Sequence, residues 1–313
     1  MWTKTEFKLF RCIIIGRREL LKLKNILNEI ASRIIDSTET PVLDAQVLLA
    51  SITGQSRSWV LAHPEIELNS KEQGELEFAL DQLGTGVPLP YIIGNWEFYG
   101  LEFIISKDVL IPRPETELLV DKALAWLKAN PKRRRLIDMG TGSGCIAVAL
   151  AVHIPDLFVI ASDISEKALY IAQQNAHKFD VAGRIEFICG NLWEAGKLEK
   201  GYAFSLKTDR PSPGADLITA NLPYIPSSIL HDLKVYGREP ELALDGGFDG
   251  LVVIRQFLKS AMLYLKPGGL ILMELESSLG KKASTLGYDF FPEAGIHLHQ
   301  DLSGHERLLE IRP

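Results

Sequence analysis

The stretch "RLIDMGTGSGCIAVALAVHIPDLFVIASDIS" (135–165) decides the fold. A short apolar run ends in the loop "DMGTGSG" (138–144), an apolar helix pattern follows, and a second apolar run ends in Asp163. Strand, glycine loop, helix and strand in this order predict one unit of a parallel sheet with helices on its faces. Gly140, Gly142 and Gly144 let the backbone bend tightly and let a ligand approach the main chain. The helix behind them presents free N–H groups, and Asp163 is placed to accept hydrogen bonds from a ribose. A dinucleotide site favours G-x-G-x-x-G, whereas the G-x-G-x-G here suits S-adenosylmethionine, which has no pyrophosphate to cradle. Gly140, Thr141, Gly142, Ser143, Gly144 and Asp163 are therefore candidate cofactor residues. The alternative is a glycine-rich turn without a ligand.

Downstream the alternation continues. "EKALYIAQQNAHKF" (166–179) predicts a helix, "RIEFICGNL" (184–192) a third strand and "ADLITAN" (215–221) a fourth. The polar residues 196–214 predict a loop. "LVVIRQFLKSAMLYL" (251–265) predicts a helix, Lys266-Pro267-Gly268-Gly269 a turn, "LILMELE" (270–276) a strand and "RLLEIRP" (307–313) a last strand. Asn191 and Leu192, after the third strand, are candidates for hydrogen bonding to an adenine edge and flanking its face; Asn191 reads equally as a turn residue.

A second site lies in "ITANLPYIP" (218–226). Asn221 falls at the carboxyl end of the fourth strand, the edge where open parallel sheets bind ligands. Its amide offers one acceptor and two donors. Pro223 holds Leu222 extended, aiming the Leu222 carbonyl into the site, and Tyr224 forms a wall. This suits a planar NH₂ group, with Asn221 Oδ1 and the Leu222 carbonyl each taking one N–H. An amide nitrogen is a poor nucleophile because its lone pair is delocalised, as the roughly 18–20 kcal/mol amide rotation barrier reports. Gripping both N–H bonds favours the pyramidal form present in the transition state, and alignment supplies further rate. Asn221, Leu222, Pro223 and Tyr224 are thus candidate catalytic and substrate-binding residues, with a structural turn as the alternative.

Upstream, residues 20–90 predict a small helical domain. "TPVLDAQVLLASITG" (40–54) opens with Thr40 as N-cap and Pro41 at the first helical position, and "SKEQGELEFALDQLGTG" (70–86) opens with Ser70 and closes on Gly84. "WEFYGLEFIIS" (96–106) predicts a hairpin turning at Gly100, within a linker over 91–111. Residues 112–313 form the sheet domain, entered through "PRPETE" (112–117). Residues 1–19, basic around "CIIIG" (12–16), read as an extension rather than a signal peptide, the apolar core being too short.

Composition narrows the function classes. The net charge of −6 argues against broad phosphate-driven nucleic-acid binding. Three widely spaced cysteines, Cys12, Cys145 and Cys189, suit a reducing, cytoplasmic setting and no zinc site, and all three read as small buried hydrophobes. No apolar run approaches the about 20 residues of a membrane span. The histidines show no metal spacing or triad.

With both sites in view, the chain resembles the protein-(glutamine N5) methyltransferases that modify bacterial peptide chain release factors. "LIPRPETELLV" (110–120), "DMGTGSGCIAVALA" (138–151), "ALDGGFDGLVVIRQFL" (243–258) and "LKPGGLILMELE" (265–276) resemble that family's blocks, and the similarity spans roughly 20–313. It implies a Rossmann-like class I methyltransferase sheet ending in an antiparallel strand, a helical N-terminal domain that helps grip the release factor, and a β-hairpin linker. It implies S-adenosylmethionine as cofactor, S-adenosylhomocysteine as product, and the glutamine of a Gly-Gly-Gln loop as substrate. Residue by residue, Gly140 to Gly144 and Asp163 match the cofactor site, Asn191 and Leu192 its adenine region, and Asn221 to Tyr224 the substrate clamp. The family usually carries Pro where Leu222 stands, and Asp where Asn191 stands. A monomer without membrane or obligatory nucleic-acid contacts is expected.

Arg113 and Glu115 read either as borders of the cofactor pocket or as a helix cap and surface ion pair. Arg133 to Arg135 read as a solvated basic face or as a contact for an acidic partner or RNA. Two rivals stand beside the main reading. Asn-Leu-Pro-Tyr also resembles the motif of adenine methyltransferases acting on a nucleic-acid NH₂, where Tyr224 would stack on a flipped base. A SAM-binding scaffold without catalysis is the other.

Overall fold

The computed structural model describes residues 22–35, 38, 40–194 and 214–313. The basic segment around "CIIIG", with Cys12, and residues 196–213 of the expected loop lie outside the described residues. The chain divides into two units between Gly94 and Asn95.

The first unit is helical: α1 (Leu23–Arg33), α2 (Pro41–Thr53), α3 (Arg57–Ala62), α4 (Ser70–Gly84) and α5 (Leu89–Ile93). Leu23, Ile26 and Ile30 recur at helical spacing on α1 and are buried with Leu48, Leu49, Leu80 and Leu83. Pro41 opens α2 and Gly54, at φ +63°, closes it. Thr40 precedes α2 without capping it; its hydroxyl donates to Asp44 instead (3.3 Å). The cap of α4 is Asn69, one residue before the expected Ser70. Asn69 Oδ1 accepts from Lys71 N (2.9 Å) and Glu72 N (3.0 Å), and Glu72 accepts from Asn69 N (2.8 Å), a reciprocal capping box. The helices α3 and α5 are too short to leave a periodic pattern.

The second unit opens with a hairpin, β1 (Asn95–Phe98) and β2 (Leu101–Ile104). Tyr99 and Gly100 turn it with φ +54° and +70°, the pair of left-handed residues that matches the twist of the flanking strands. The short helical turn Pro114–Thr116 leads into α6 (Glu117–Ala129). A seven-stranded sheet follows, built from β3 (Arg135–Met139), β4 (Phe158–Asp163), β5 (Ile185–Cys189), β6 (Ala215–Ala220), β7 (Leu265–Glu274), β8 (Gly295–Gln300) and β9 (Glu306–Arg312). Its order is β5-β4-β3-β6-β7-β9-β8. Strands β3 to β7 run parallel, β9 runs antiparallel to β7, and β8 antiparallel to β9. The helices are α7 (Cys145–His153), α8 (Glu166–Lys178), α9 (Ser227–Leu230), α10 (Val252–Ala261) and α11 (Gly280–Phe290). Ile137, Ile218, Ile271, Phe257 and Leu309 are fully buried between layers. The chain leaves β3 toward β4 on one side, and β6 lies on the other, so the ends of β3 and β6, paired at Met139 and Ala220, flank the switch point.

Several expectations shift. Lys266 to Gly269 are the irregular start of β7 rather than a turn before it, because Leu265 already pairs with Ala215 and the register then slips. For the same reason α10 stops at Ala261. Helix α11 and strand β8 were not expected. Cys145 is buried, but Cys189, the last residue of the edge strand β5, is exposed. The basic run is not simply a solvated face: Arg133 pairs with the buried Asp216 (3.5 Å) and donates to Pro267 O (2.9 Å). Arg134 pairs with Asp156 (2.6 Å) and donates to Leu127 O and Asn130 O at the end of α6.

Candidate active site

A cavity of about 520 Å³ lies at the carboxyl ends of β3, β4 and β6. Gly140, Thr141, Gly142, Ser143, Asp163, Asn191, Leu192, Asn221, Leu222 and Pro223 all line it. Two expected residues do not. Gly144 faces α8, where a Cβ would stand 3.0 Å from Ala172 Cβ. Tyr224 is turned against the core beyond β6, because Ile225 bridges to Asp245 and the chain runs tightly past Gly246. A Cβ on Gly246 would meet Tyr224 Cα at 2.7 Å, so this backbone approach requires glycine. That packing gives "ALDGG" a physical reason.

The cofactor loop is braced from below. Asp138 is fully buried and accepts from the hydroxyls of Thr141 (2.6 Å) and Thr219 (2.7 Å). Burial pushes its carboxyl up to about 6, against the pull of those hydrogen bonds. Gly140 N and Thr141 N donate to Ser162 O (2.8 and 3.0 Å), and Gly142 N donates to Asp163 Oδ2 (2.8 Å). These loop amides are therefore spent on the protein's own acceptors rather than left free for a ligand. Asp163 Oδ1 accepts from Ser165 N (2.9 Å), which fixes the carboxylate while leaving each oxygen a lone pair for another donor. Burial raises its pKa. At Gly142, φ +57°, no atom lies within 4 Å of where a Cβ would stand, so the loop is open on that side. Asn191 is exposed beside Leu192, which takes a left-handed φ of +47°.

Arg113 both borders the cavity and forms an ion pair, with Glu239, which also accepts from Ile111 N (3.2 Å). Glu115 is not in the cavity wall; its charge faces Glu274, Tyr224 and Arg307. Sequence reasoning missed the residues that act behind the wall. Asn175 is buried: its Oδ1 accepts from Ile104 N (2.7 Å) and its Nδ2 donates to Ile104 O (3.0 Å) and Ser143 O (2.9 Å), tying hairpin and loop to α8. Also missed were Glu274, behind the wall, and Thr116 and Asp245, which line the cavity. Asp245 accepts from Ser227 Oγ (2.6 Å) and Gly247 N (2.9 Å), and those bonds hold its carboxyl below the usual range.

The ionisable side chains of the lining are Asp108, Asp163, Glu241 and Asp245 against Arg113, apart from the thiol of Cys145. A phosphate-bearing ligand would meet repulsion and inward-turned amides here, whereas a sulfonium cation meets an acidic wall. Among the described residues, no cluster suits a metal ion and no helix is long and apolar enough to cross a membrane.

The fold and this site define a Rossmann-like class I methyltransferase. Residues 25–94 match the family described as PrmC N-terminal domain, and 115–204 match the methyltransferase small domain. The chain is 35% identical to the release factor glutamine methyltransferase of Coxiella burnetii, over 94% of this chain and 99% of the relative. It is 36% identical to that of Moorella thermoacetica, over 92% and 97%. It is also 31% identical to a bifunctional methyltransferase of Rickettsia bellii, over 92% of this chain and 54% of that protein. The chain belongs to the release factor glutamine methyltransferase family.

Proposed function

We propose that this enzyme methylates the side-chain amide nitrogen of the glutamine in the Gly-Gly-Gln loop of peptide chain release factors, supporting translation termination. The observation that carries the reading is that Asn221 shares one cavity wall with the glycine loop and Asp163. The acidic lining, the open side of Gly142 and the fixed Asp163 carboxylate fit S-adenosylmethionine. When bound, that cofactor supplies an electrophilic methyl group and leaves as S-adenosylhomocysteine. Gly140 to Ser143 would border it, Asp163 would accept from its ribose hydroxyls, and Asn191 with Leu192 would meet the adenine.

Asn221 Oδ1 and the Leu222 carbonyl would accept the two amide N–H bonds of the glutamine. The new bond is nitrogen to methyl carbon, and the bond broken is sulfur to methyl carbon. The nitrogen turns acidic as it gains the methyl, so its proton leaves to solvent without a strong base. Leu222 is buried against Gly140, where a Cβ would stand 3.1 Å from Leu222 Cδ2. Its side chain thus serves the loop, and the clamp asks only for its carbonyl. The enzyme acts as a cytoplasmic monomer and needs no nucleic acid.

The test uses labelled S-adenosylmethionine, the purified protein and a release factor, with the methylated residue mapped by mass spectrometry. A methyl on the Gly-Gly-Gln glutamine is expected. Label entering RNA would move the reading to an adenine methyltransferase, and cofactor binding without transfer would indicate a scaffold.

A further inference from the structure

The clamp has an ambiguity that sequence leaves open. A primary amide is nearly symmetric in shape, so Asn221 can present either Oδ1 or Nδ2 to the cavity, and only Oδ1 accepts a substrate N–H. Something behind Asn221 has to choose. Asn221 Nδ2 donates to Thr116 Oγ1 (3.3 Å), and Thr116 is buried at the turn before α6. Beyond both stands Glu274, the last residue of β7, only 3% exposed. Ala220 of β6 pairs with Met273 of β7, so Asn221 and Glu274 are the next residues along neighbouring parallel strands, and the Thr116 hydroxyl and the Asn221 amide both favour the ionised Glu274 carboxylate. Glu274 Oε2 has no hydrogen-bond partner among the described residues. A carboxylate with an open oxygen accepts only, so it draws donors.

We infer that Glu274, acting through Thr116, is a positioning residue that holds the Asn221 amide with Nδ2 inward and Oδ1 toward the substrate. This rests on the clamp reading above. The ionised carboxylate accepts from the Thr116 hydroxyl and from Asn221 Nδ2. Thr116 Oγ1 is then left as an acceptor for the second Nδ2 hydrogen. Both amide hydrogens are spent inward, and Oδ1 has nowhere to face but the cavity. Protonation reverses the logic. A neutral Glu274 carries an O–H donor, which competes for Asn221 Oδ1 and turns the amide over.

Burial raises the Glu274 carboxyl to about 7, so the switch falls where activity can report it. The groups facing it are Thr116 and Asn221, the carboxylate of Glu115 on the same turn as Thr116, Arg307 on β9, Tyr224 after β6 and Cys145 at the start of α7. Glu115 opposes ionisation and Arg307 favours it. Glu274 is not in the cavity wall, so it acts through Asn221 rather than on the reacting atoms.

Two measurements test this. The first follows the side-chain amide NMR signals of Asn221, assigned by their loss in Asn221→Ala, against pH without any substrate. In the wild-type protein they should shift with a midpoint near 7, the value burial gives Glu274, and in Glu274→Gln the shift should vanish. The second compares methyl transfer. Glu274→Gln should lose about tenfold to a hundredfold in kcat, the range for removing a partner that orients a working ligand, with cofactor affinity and KM little changed. The wild-type kcat should rise with pH through the same midpoint, while the variant's kcat stays flat. Asn221 signals that do not titrate, or a variant with wild-type kcat and pH profile, overturn the inference while leaving the substrate reading intact. Titrating Asn221 signals in a protein that transfers no methyl to a release factor would uphold the positioning role and sink the substrate reading instead.

Discussion

Two buried carboxylates sit under the two halves of the site, and they are finished differently. Asp138, under the cofactor loop, has a hydroxyl on each oxygen. Glu274, behind Asn221, keeps one oxygen open. Burial raises both, to about 6 and about 7. A fully partnered carboxylate braces a loop that must keep one shape. A partly partnered one costs stability and leaves the neighbouring amide an orientation that can be controlled. The cofactor half is held by backbone hydrogen bonds and the doubly bonded Asp138, with only the buried Ser162 hydroxyl left without a partner among its described residues; the substrate half is set by side chains.

The largest effect expected from this contrast is on transfer rather than folding. Asn221→Ala should remove about 2–4 kcal/mol of transition-state stabilisation, the scale of losing one preorganised polar contact, as measured by single-turnover methyl transfer. Calorimetry of cofactor binding should change far less. On the rigid side, Asp138→Ala should leave the Thr141 and Thr219 hydroxyls without their acceptor in the core, at about 1–3 kcal/mol each, seen as a lowered denaturation midpoint. Asn175→Ala should cost about 1–3 kcal/mol, because the buried Ile104 N–H loses its acceptor. It should also loosen the loop, so cofactor affinity should fall with stability.

The pH dependence separates the carboxylates by sign. Glu274 is raised from an ordinary value of 4.5 to about 7, so the folded state binds its proton more tightly than the unfolded state. Its stabilising contribution is fully present below about 4.5 and is lost as pH rises through about 7. Chemical denaturation of Glu274→Gln across that range should show a flatter profile than wild type, while the Asp138 dependence, ending near 6, persists. The smallest effect belongs to the helical unit: Asn69→Ala should cost about 1 kcal/mol by removing the cap of α4, with methyl transfer chemistry unaltered once the protein is folded.

Legibility followed how local each signal is. The loop 140–144 and Asp163 were readable because glycine spacing between a strand and a helix is a contiguous pattern, and Asn221 was readable because it ends a continuous apolar strand. Their supports were not. Asn175 lies in a helix whose pattern gives no reason to single out an amide, and its partners Ile104 and Ser143 are far away in sequence. Glu274 reads as one of two acids that close the apolar run of "LILMELE" (270–276), and only the fold brings it behind Asn221. Helix α11 was missed because its buried stripe is Gly280, Ala283, Leu286 and Gly287, three small residues around a single Leu, two of them glycines of poor helix propensity. Strand β8 offers only Ile296 and Leu298 as an alternating pair, at a sheet edge. Tyr224 was placed in the wall because the contact with Gly246 that turns it away is long-range.

The most direct test of the central claim is single-turnover transfer from labelled S-adenosylmethionine to a release factor by wild type and Asn221→Ala, with the methylated residue mapped and cofactor affinity measured on both proteins. The account predicts a methyl on the Gly-Gly-Gln glutamine, slowed by the substitution by about 2–4 kcal/mol at nearly unchanged cofactor affinity. An Asn221→Ala enzyme that methylates that glutamine at the wild-type rate would contradict it.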